Sequence, residues 1–214
     1  MVEIQKKYQI KLRRVGIVNW IGAYNLYFKE INRFLIVWAQ TLLSPLVSSL
    51  LFLSVLTLAL GNDRGEVLGF SFISFLAPGL IAMSIIQQGF SHSVSSLMIA
   101  KIQGNIVDTL MAPLSAAEVT LAIILAAVTR SIIILIISVI VFSLIIEIHI
   151  YNIIYIFIGA FLGSFILGAL GFITGLWAEK FDHTATITNF IVTPLSFLSG
   201  VFYSVDRLPA FFQS

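Results

Sequence analysis

The 214-residue chain contains no cysteine. That excludes a disulfide framework, thiolate metal ligation and a cysteine nucleophile. Charge is scarce too: 10% of residues are Asp, Glu, Lys or Arg, against about 25% in soluble globular domains. With 59% of residues hydrophobic, a soluble fold of this size would expose large apolar patches, which a bilayer accommodates. The net charge of +2 is too small to suggest a nucleic-acid partner. There is no G-x-x-x-x-G-K-S/T run, so the chain has no P-loop for ATP. No H-E-x-x-H and no paired carboxylates occur in an apolar stretch. Nor does the N-terminal segment show the apolar core and small-residue cleavage site of a signal peptide.

The gaps between charges organise what is there. No charged residue lies between Arg33 and Asp63, between Glu66 and Lys101, between Glu147 and Glu179, or between His183 and Val205. Between Glu118 and Glu147 there is only Arg130. A hydrocarbon core of ~30 Å needs about 20 apolar residues of helix. The chain is therefore expected to be an all-α polytopic membrane protein with spans near 34–60, 70–98, 119–146, 151–177 and 186–203. Barrel strands are shorter and alternate polar with apolar. Residues 1–33 form a separate N-terminal segment, and 34–214 the transmembrane domain. Lys6, Lys7, Lys11, Arg13, Arg14, Lys29, Arg33, Lys101 and Lys180 fall on one side, and only Arg64 and Arg207 on the other. Basic residues stay inside, which puts the N-terminus in the cytoplasm and Ser214 outside.

In the N-terminal segment Ile17, Trp20, Ile21, Tyr24, Phe28 and Ile31 recur at helical spacing, while Asn19, Asn25, Lys29, Asn32 and Arg33 lie mostly elsewhere. This predicts an amphipathic helix, lying either in the membrane interface or against a soluble partner. Ile102, Ile106 and Leu110 fall at i, i+4 and i+8, with Gln103, Asn105, Asp108 and Thr109 on other faces and Pro113 ending the run. A short helix there either docks in a partner's groove or merely connects two spans. Arg130 sits about 17 Å into its span, so it meets either an anionic or hydroxyl-rich substrate or a protein acceptor. Ser84, Gln88, Ser91 and Ser95 form a polar stripe in the second span, with Gln87 and His92 beside it. The stripe lines a conduit or bonds a neighbouring helix; His92 has no acidic neighbour in sequence. Gly159 and Gly163, Gly171 and Gly175, and Ser164 and Gly168 are small-residue pairs that permit close helix packing. Pro45, Pro78 and Pro194 fall within spans and are expected to kink them.

No Asp or Glu lies inside any predicted span. Gradient-driven carriers commonly place a carboxylate there, so a separate subunit is expected to supply the energy. Three runs then carry a resemblance. They are Leu76-Ala-Pro-Gly-Leu80, the stretch from Ala100 through Gly104 and Ala112-Pro113-Leu114, and Thr193-Pro-Leu-Ser-Phe-Leu-Ser-Gly-Val-Phe-Tyr-Ser204 followed by Leu208-Pro209. Together they resemble the type-2 ABC exporter permeases, in the branch that includes nodulation-factor, drug and polysaccharide exporters. The resemblance extends from about residue 20 onward.

The resemblance implies a six-helix half-transporter with no cofactor and no catalytic residue. Two such chains pair in the membrane lipid and dock on two cytoplasmic ATP-binding subunits. They move a glycolipid, lipid-linked polysaccharide or hydrophobic drug outward. It makes 101–113 the coupling helix, with Lys101, Gln103, Asn105, Ile106, Asp108, Leu110 and Pro113 toward the ATPase. In such a transporter the polar residues read above, Ser84, Gln88, Ser91, His92, Ser95 and Arg130, are the candidates for a translocation path, with helix packing as their alternative role. It implies a re-entrant element starting at 204–214 and a sixth span, so the chain reads as truncated at its C-terminus. The alternative is a secondary transporter or channel not coupled to ATP. A membrane enzyme finds no common site, because His92, His149 and His183 are expected mid-membrane, outside and inside.

Overall fold

The computed structural model describes residues 18–60, 71–146 and 151–198, and the regular structure there is helical. Helix α1 (Trp20–Ile36) leads through a π-helical turn (Ala39–Leu43) into α2 (Ser44–Leu60). Then come α3 (Phe72–Ile102), α4 (Ile106–Met111), α5 (Ala116–Ser143) and α6 (Ile153–Trp177). A last helical run joins α7 (Phe181–Ile187), a second π-helical turn (Thr188–Val192) and α8 (Thr193–Leu198). Among the described residues four helical stretches are long and apolar enough to cross a bilayer: Ala39–Ala59, Phe72–Ile102, Ala116–Ser143 and Ile153–Trp177. They fall on the first four expected spans. The fifth is helical to Leu198, and its remainder lies outside the described residues. So do residues 1–17, Arg64, His149, the Gly200–Ser204 part of the third run, and the expected re-entrant element.

Two of the three prolines expected within spans shape their helices. Pro45 and Pro194 each stand second in an α-helix entered through a π-helical turn. Proline lacks an N–H, and its ring crowds the carbonyl four residues back; the wider turn relieves that crowding. Pro78 behaves differently, because α3 runs on through it to Ile102.

α3 also outruns the expected end of its span. Lys101 Nζ donates to the carbonyls of Leu176 (2.6 Å) and Ala178 (3.0 Å). A cation on the last carbonyls of a helix is favourable, so this charge is held at the end of α6. The single helix expected over 101–113 is corrected. Gly104 adopts φ +76 and breaks the chain into the end of α3 and the six-residue α4. A left-handed backbone is cheap only for glycine. Ile102, Ile106 and Leu110 thus do not share one helix.

The core is built around α3, which pairs along its length with α6 and also packs on α5 and α2. Small residues set the α3–α6 spacing. A Cβ at Gly171 would press into the carbonyl oxygen of Phe90, and one at Gly89 would lie 2.9 Å from the carbonyl oxygen of Ser164. Gly175 and Gly163 face Leu97 and Ile86 at 3.0 Å and 3.2 Å, while Gly168 sits in ordinary contact, 3.5 Å from Ile124. Gly159 stands apart from this seam, since a Cβ there would meet none of the described residues within 4 Å. Gly89, on the opposing helix, was not anticipated.

One carboxylate joins two helix starts. Glu118 Oε2 accepts from Ser115 N (2.7 Å) and Glu118 N bonds Ser115 Oγ (3.3 Å), forming a capping box on α5. Glu118 Oε1 also accepts from Asn19 N (2.5 Å). Asn19 in turn caps α1 through Gly22 N (3.0 Å) and donates to Pro113 O (3.0 Å). Glu118→Ala removes both bonds and is expected to cost about 1–2 kcal/mol, read as a lower unfolding midpoint in detergent micelles. Ser115→Ala, which leaves the Asn19 bond, should cost less; equal losses would mean that the link to α1 contributes nothing.

Candidate functional site

The C-terminal half of α1, the first π-helical turn, α3 and α5 enclose a cavity of ≈ 350 Å³. Polar residues of α3 at helical spacing, Gln88, Ser91, His92 and Ser95, line one side, facing Arg33 of α1 and Arg130 of α5. Arg130 is 7% exposed. An arginine at the bilayer centre costs at least ~2.5 kcal/mol on insertion scales, so its partners matter. Arg130 Nη2 donates to Gln88 Oε1 (2.5 Å) and to Thr41 O (3.2 Å). In α geometry the Thr41 carbonyl would receive the N–H of residue 45, which is a proline and has none. Arg130 thus binds a carbonyl of the π-helical turn just ahead of Pro45. Its Nε has no partner among the described residues, and no carboxylate there pairs with it.

Beside this cavity lies a polar cluster that sequence spacing did not reveal. The face of α1 turned to the bundle carries Leu26, Glu30 and Phe34. The expected apolar face, with Trp20, Ile21, Tyr24 and Phe28, is exposed. Glu30 is 5% exposed. Its Oε2 accepts from Ser96 Oγ (2.7 Å), pairs with Arg33 Nη2 (2.9 Å) and lies 3.7 Å from His92 Nε2, too far for a hydrogen bond. His92 is fully buried, edge-on to Phe34 at a centroid distance of 5.7 Å, and neither ring nitrogen has a hydrogen-bond partner among the described residues. Burial pushes the Arg33 guanidinium down from its ordinary pKa and Glu30 pulls it back; arginine stays charged throughout.

The remainder of the polar stripe faces α2. Ser84 Oγ bonds Ser49 Oγ (2.7 Å) and donates to Leu80 O (2.9 Å). Ser84, Gln87 and Gln88 line a second cavity of ≈ 290 Å³ with Ser48 and Phe52 of α2. Gln88, Ser44 and Pro45 border both cavities, so the stripe runs along the two of them.

At the end of the bundle that carries α4, no residue of α4 is buried. Val107, Leu110 and Met111 are exposed, the last at 81%. Asp108 is exposed, Ile106 half-buried, and Asn105 Nδ2 donates to Gln103 Oε1 (3.1 Å). α1 and α4 share a groove of ≈ 360 Å³ lined by Asn25, Lys29, Asp108, Thr109 and Pro113. Asn19 and Glu118, which hold this corner together, were overlooked, although Ser115-Ala-Ala-Glu118 is a capping-box signature. Elsewhere His183 packs on Trp177 at a centroid distance of 5.3 Å. Among the described residues no group of three His, Asp or Glu is arranged to hold a metal ion.

Long apolar helices packed through glycines, with polar cavities between them and amphipathic helices at one end, define a multi-pass all-α membrane protein. The chain belongs to the ABC-2 type transporter family, whose sequence pattern matches residues 23–214. It is thus a membrane transport permease of the ABC class, and such a family implies an ATPase partner subunit. It is 30% identical to the inner membrane transport permease YadH of Escherichia coli K12 over 194 residues, 91% of this chain and 76% of that protein. It is 24% identical to nodulation protein J of Rhizobium leguminosarum bv. trifolii over 205 residues, 93% of this chain and 75% of that protein. No solved structure matches it.

Proposed function

We propose that this chain is the membrane half of an ATP-driven exporter. Two copies pair and dock on two copies of a separate ATP-binding subunit, with the N-terminus and α4 in the cytoplasm. ATP is hydrolysed on the partner, and the chain itself carries no catalytic residue and no cofactor. The observation that carries this reading is α4. It is a short helix at one end of the bundle whose Val107, Leu110 and Met111 side chains are exposed although apolar, and a groove on a partner would cover them. Gln103, Asn105, Ile106, Asp108 and Pro113 flank the same surface, while Lys101 is engaged with α6. The exposed aromatic face of α1 suits the membrane interface. Ser84, Gln88, Ser91, His92, Ser95 and Arg130 border the two neighbouring cavities and form the path for a glycolipid, a lipid-linked polysaccharide or a hydrophobic drug.

The test is to express the full-length protein with the ATP-binding subunit encoded nearest to it and to measure assembly and ATP hydrolysis in membranes. Leu110→Asp and Asp108→Lys are each expected to weaken assembly at least about tenfold, the loss typical of a buried interface anchor. If both variants assemble normally, α4 is a plain connector and the docking role is wrong.

A second reading rests on Glu30. A buried carboxylate 3.7 Å from a buried histidine is the kind of group that a gradient-driven carrier uses. Transport that persists with ATP depleted and an ion gradient intact would favour that reading over the exporter.

A further inference from the structure

The cavity between α1, α3 and α5 holds an unbalanced positive charge. Its lining includes two guanidinium groups, Arg33 and Arg130, and no carboxylate. Arg33 is neutralised from behind by Glu30, outside the lining, at 2.9 Å. Arg130 has no such counterion among the described residues. Its hydrogen bonds go to an amide oxygen and a peptide carbonyl, and Nε is buried with no partner among the described residues. Nothing about helix packing calls for this arrangement. Satisfying Gln88 and Thr41 needs a donor but no charge, and a buried cation without a counterion is costly in a membrane. Another polar group on the wall suits the same guest, since Ser91 brings a hydroxyl donor, while the Ser95 hydroxyl is committed to the His92 carbonyl at 3.0 Å. A volume of ≈ 350 Å³ is that of a small-ligand site.

We infer that this cavity is an anion site that seats a phosphate group between Arg130 and Arg33. Guanidinium groups are suited to phosphate by their planar fork of donors. The inference rests on the permease reading and deepens it: the transported or regulating amphiphile is phosphate-bearing, and a neutral drug or uncharged glycolipid is the wrong guest. Ser91 is exposed where it lines the cavity, and marks its entrance.

The test uses the purified full-length protein in neutral detergent, without ATPase. Binding of dioleoyl phosphatidate is compared with that of dioleoylglycerol, which differs only in lacking the phosphate. Wild type is expected to bind phosphatidate at least about tenfold tighter, the value of one good charge-assisted contact. Arg130→Gln should erase that preference, and Arg130→Lys should keep part of it. Ser91→Glu leaves the buried network untouched and adds a negative charge at the entrance. It should abolish the preference even if Arg130→Gln fails to fold. Displacement by inorganic pyrophosphate would assign the site to the phosphate group itself, and lack of displacement to phosphate carried on a lipid. Equal binding of the two lipids, or an undiminished preference in Ser91→Glu and a folded Arg130→Gln, overturns the inference. Because no ATP-binding subunit is in the assay, failure here leaves the docking role of α4 standing, and failure of docking leaves this site standing.

Discussion

Gly171→Leu is expected to prevent the bundle from folding, and Gly171→Ala to cost about 1–2 kcal/mol net. Even one added methyl presses on the Phe90 carbonyl oxygen and comes within 3.1 Å of the Phe90 Cα. A flexible side chain would swing aside, but backbone cannot, so α3 and α6 must separate. Separation also loosens Gly175 against Leu97 and Gly89 against Ser164. Overpacking of this kind costs roughly 1–3 kcal/mol, and alanine's better helix propensity returns at most about 1 kcal/mol. Clash therefore wins. The control is Gly159→Ala, which meets open space and should leave the unfolding midpoint unchanged or slightly raised. A Gly171→Ala protein as stable as Gly159→Ala would show that the two helices are not held at this distance.

The second large effect belongs to Glu30. Glu30→Ala removes the acceptor for Ser96 and the counterion of Arg33, leaving a cation against the bundle. Breaking a buried pair from one side costs about 3–5 kcal/mol. The lower end is expected here, because the Arg33 side chain keeps 28% of its surface exposed. Glu30→Gln retains both acceptor contacts in neutral form and should lose less. Glu30→Leu combined with Arg33→Leu removes both charges and should recover much of the stability, since apolar replacements of buried pairs are often neutral. Thermal unfolding in micelles reads all three. If the double variant is worse than Glu30→Ala, the pair itself contributes net stability.

The spans were legible because charge is expensive in a bilayer, so its absence marks them. The run between Glu66 and Lys101 became α3, and the one between Glu147 and Glu179 became α6. Where the edges differ, a tertiary contact explains it: Lys101 lies within a helix because α6 offers it carbonyls. The site was legible in its halves. The stripe from Ser84 to Ser95 and the lone Arg130 were visible as polar groups in apolar sequence. Their meeting through Gln88 was not, and neither was Glu30, whose bond to Ser96 spans 66 residues. Glu30 was hidden for a further reason. It sits in a segment whose regular apolar face runs along Trp20, Tyr24 and Phe28, which pointed away from the face that packs. The short helix was legible, but the break that parts it from α3 was not, because periodicity continues across Gly104, where only backbone freedom shows it.

The glycine seam and the Lys101 cap have a mechanical consequence. α3 and α6 are held along their lengths and tied at one end, so neither can slide or roll past the other without breaking contacts to backbone. Whatever cycle the transporter runs, this pair travels as one strut. α2 is the contrast. It touches mainly α3, keeps most of its apolar surface uncovered, and is joined to α1 by a wide π-helical turn just ahead of Pro45. It is the arm on a pivot, and Arg130 grips the carbonyl at that pivot. A guest that draws Arg130 toward itself would loosen the grip, and the swing of one helix would then report what occupies the cavity.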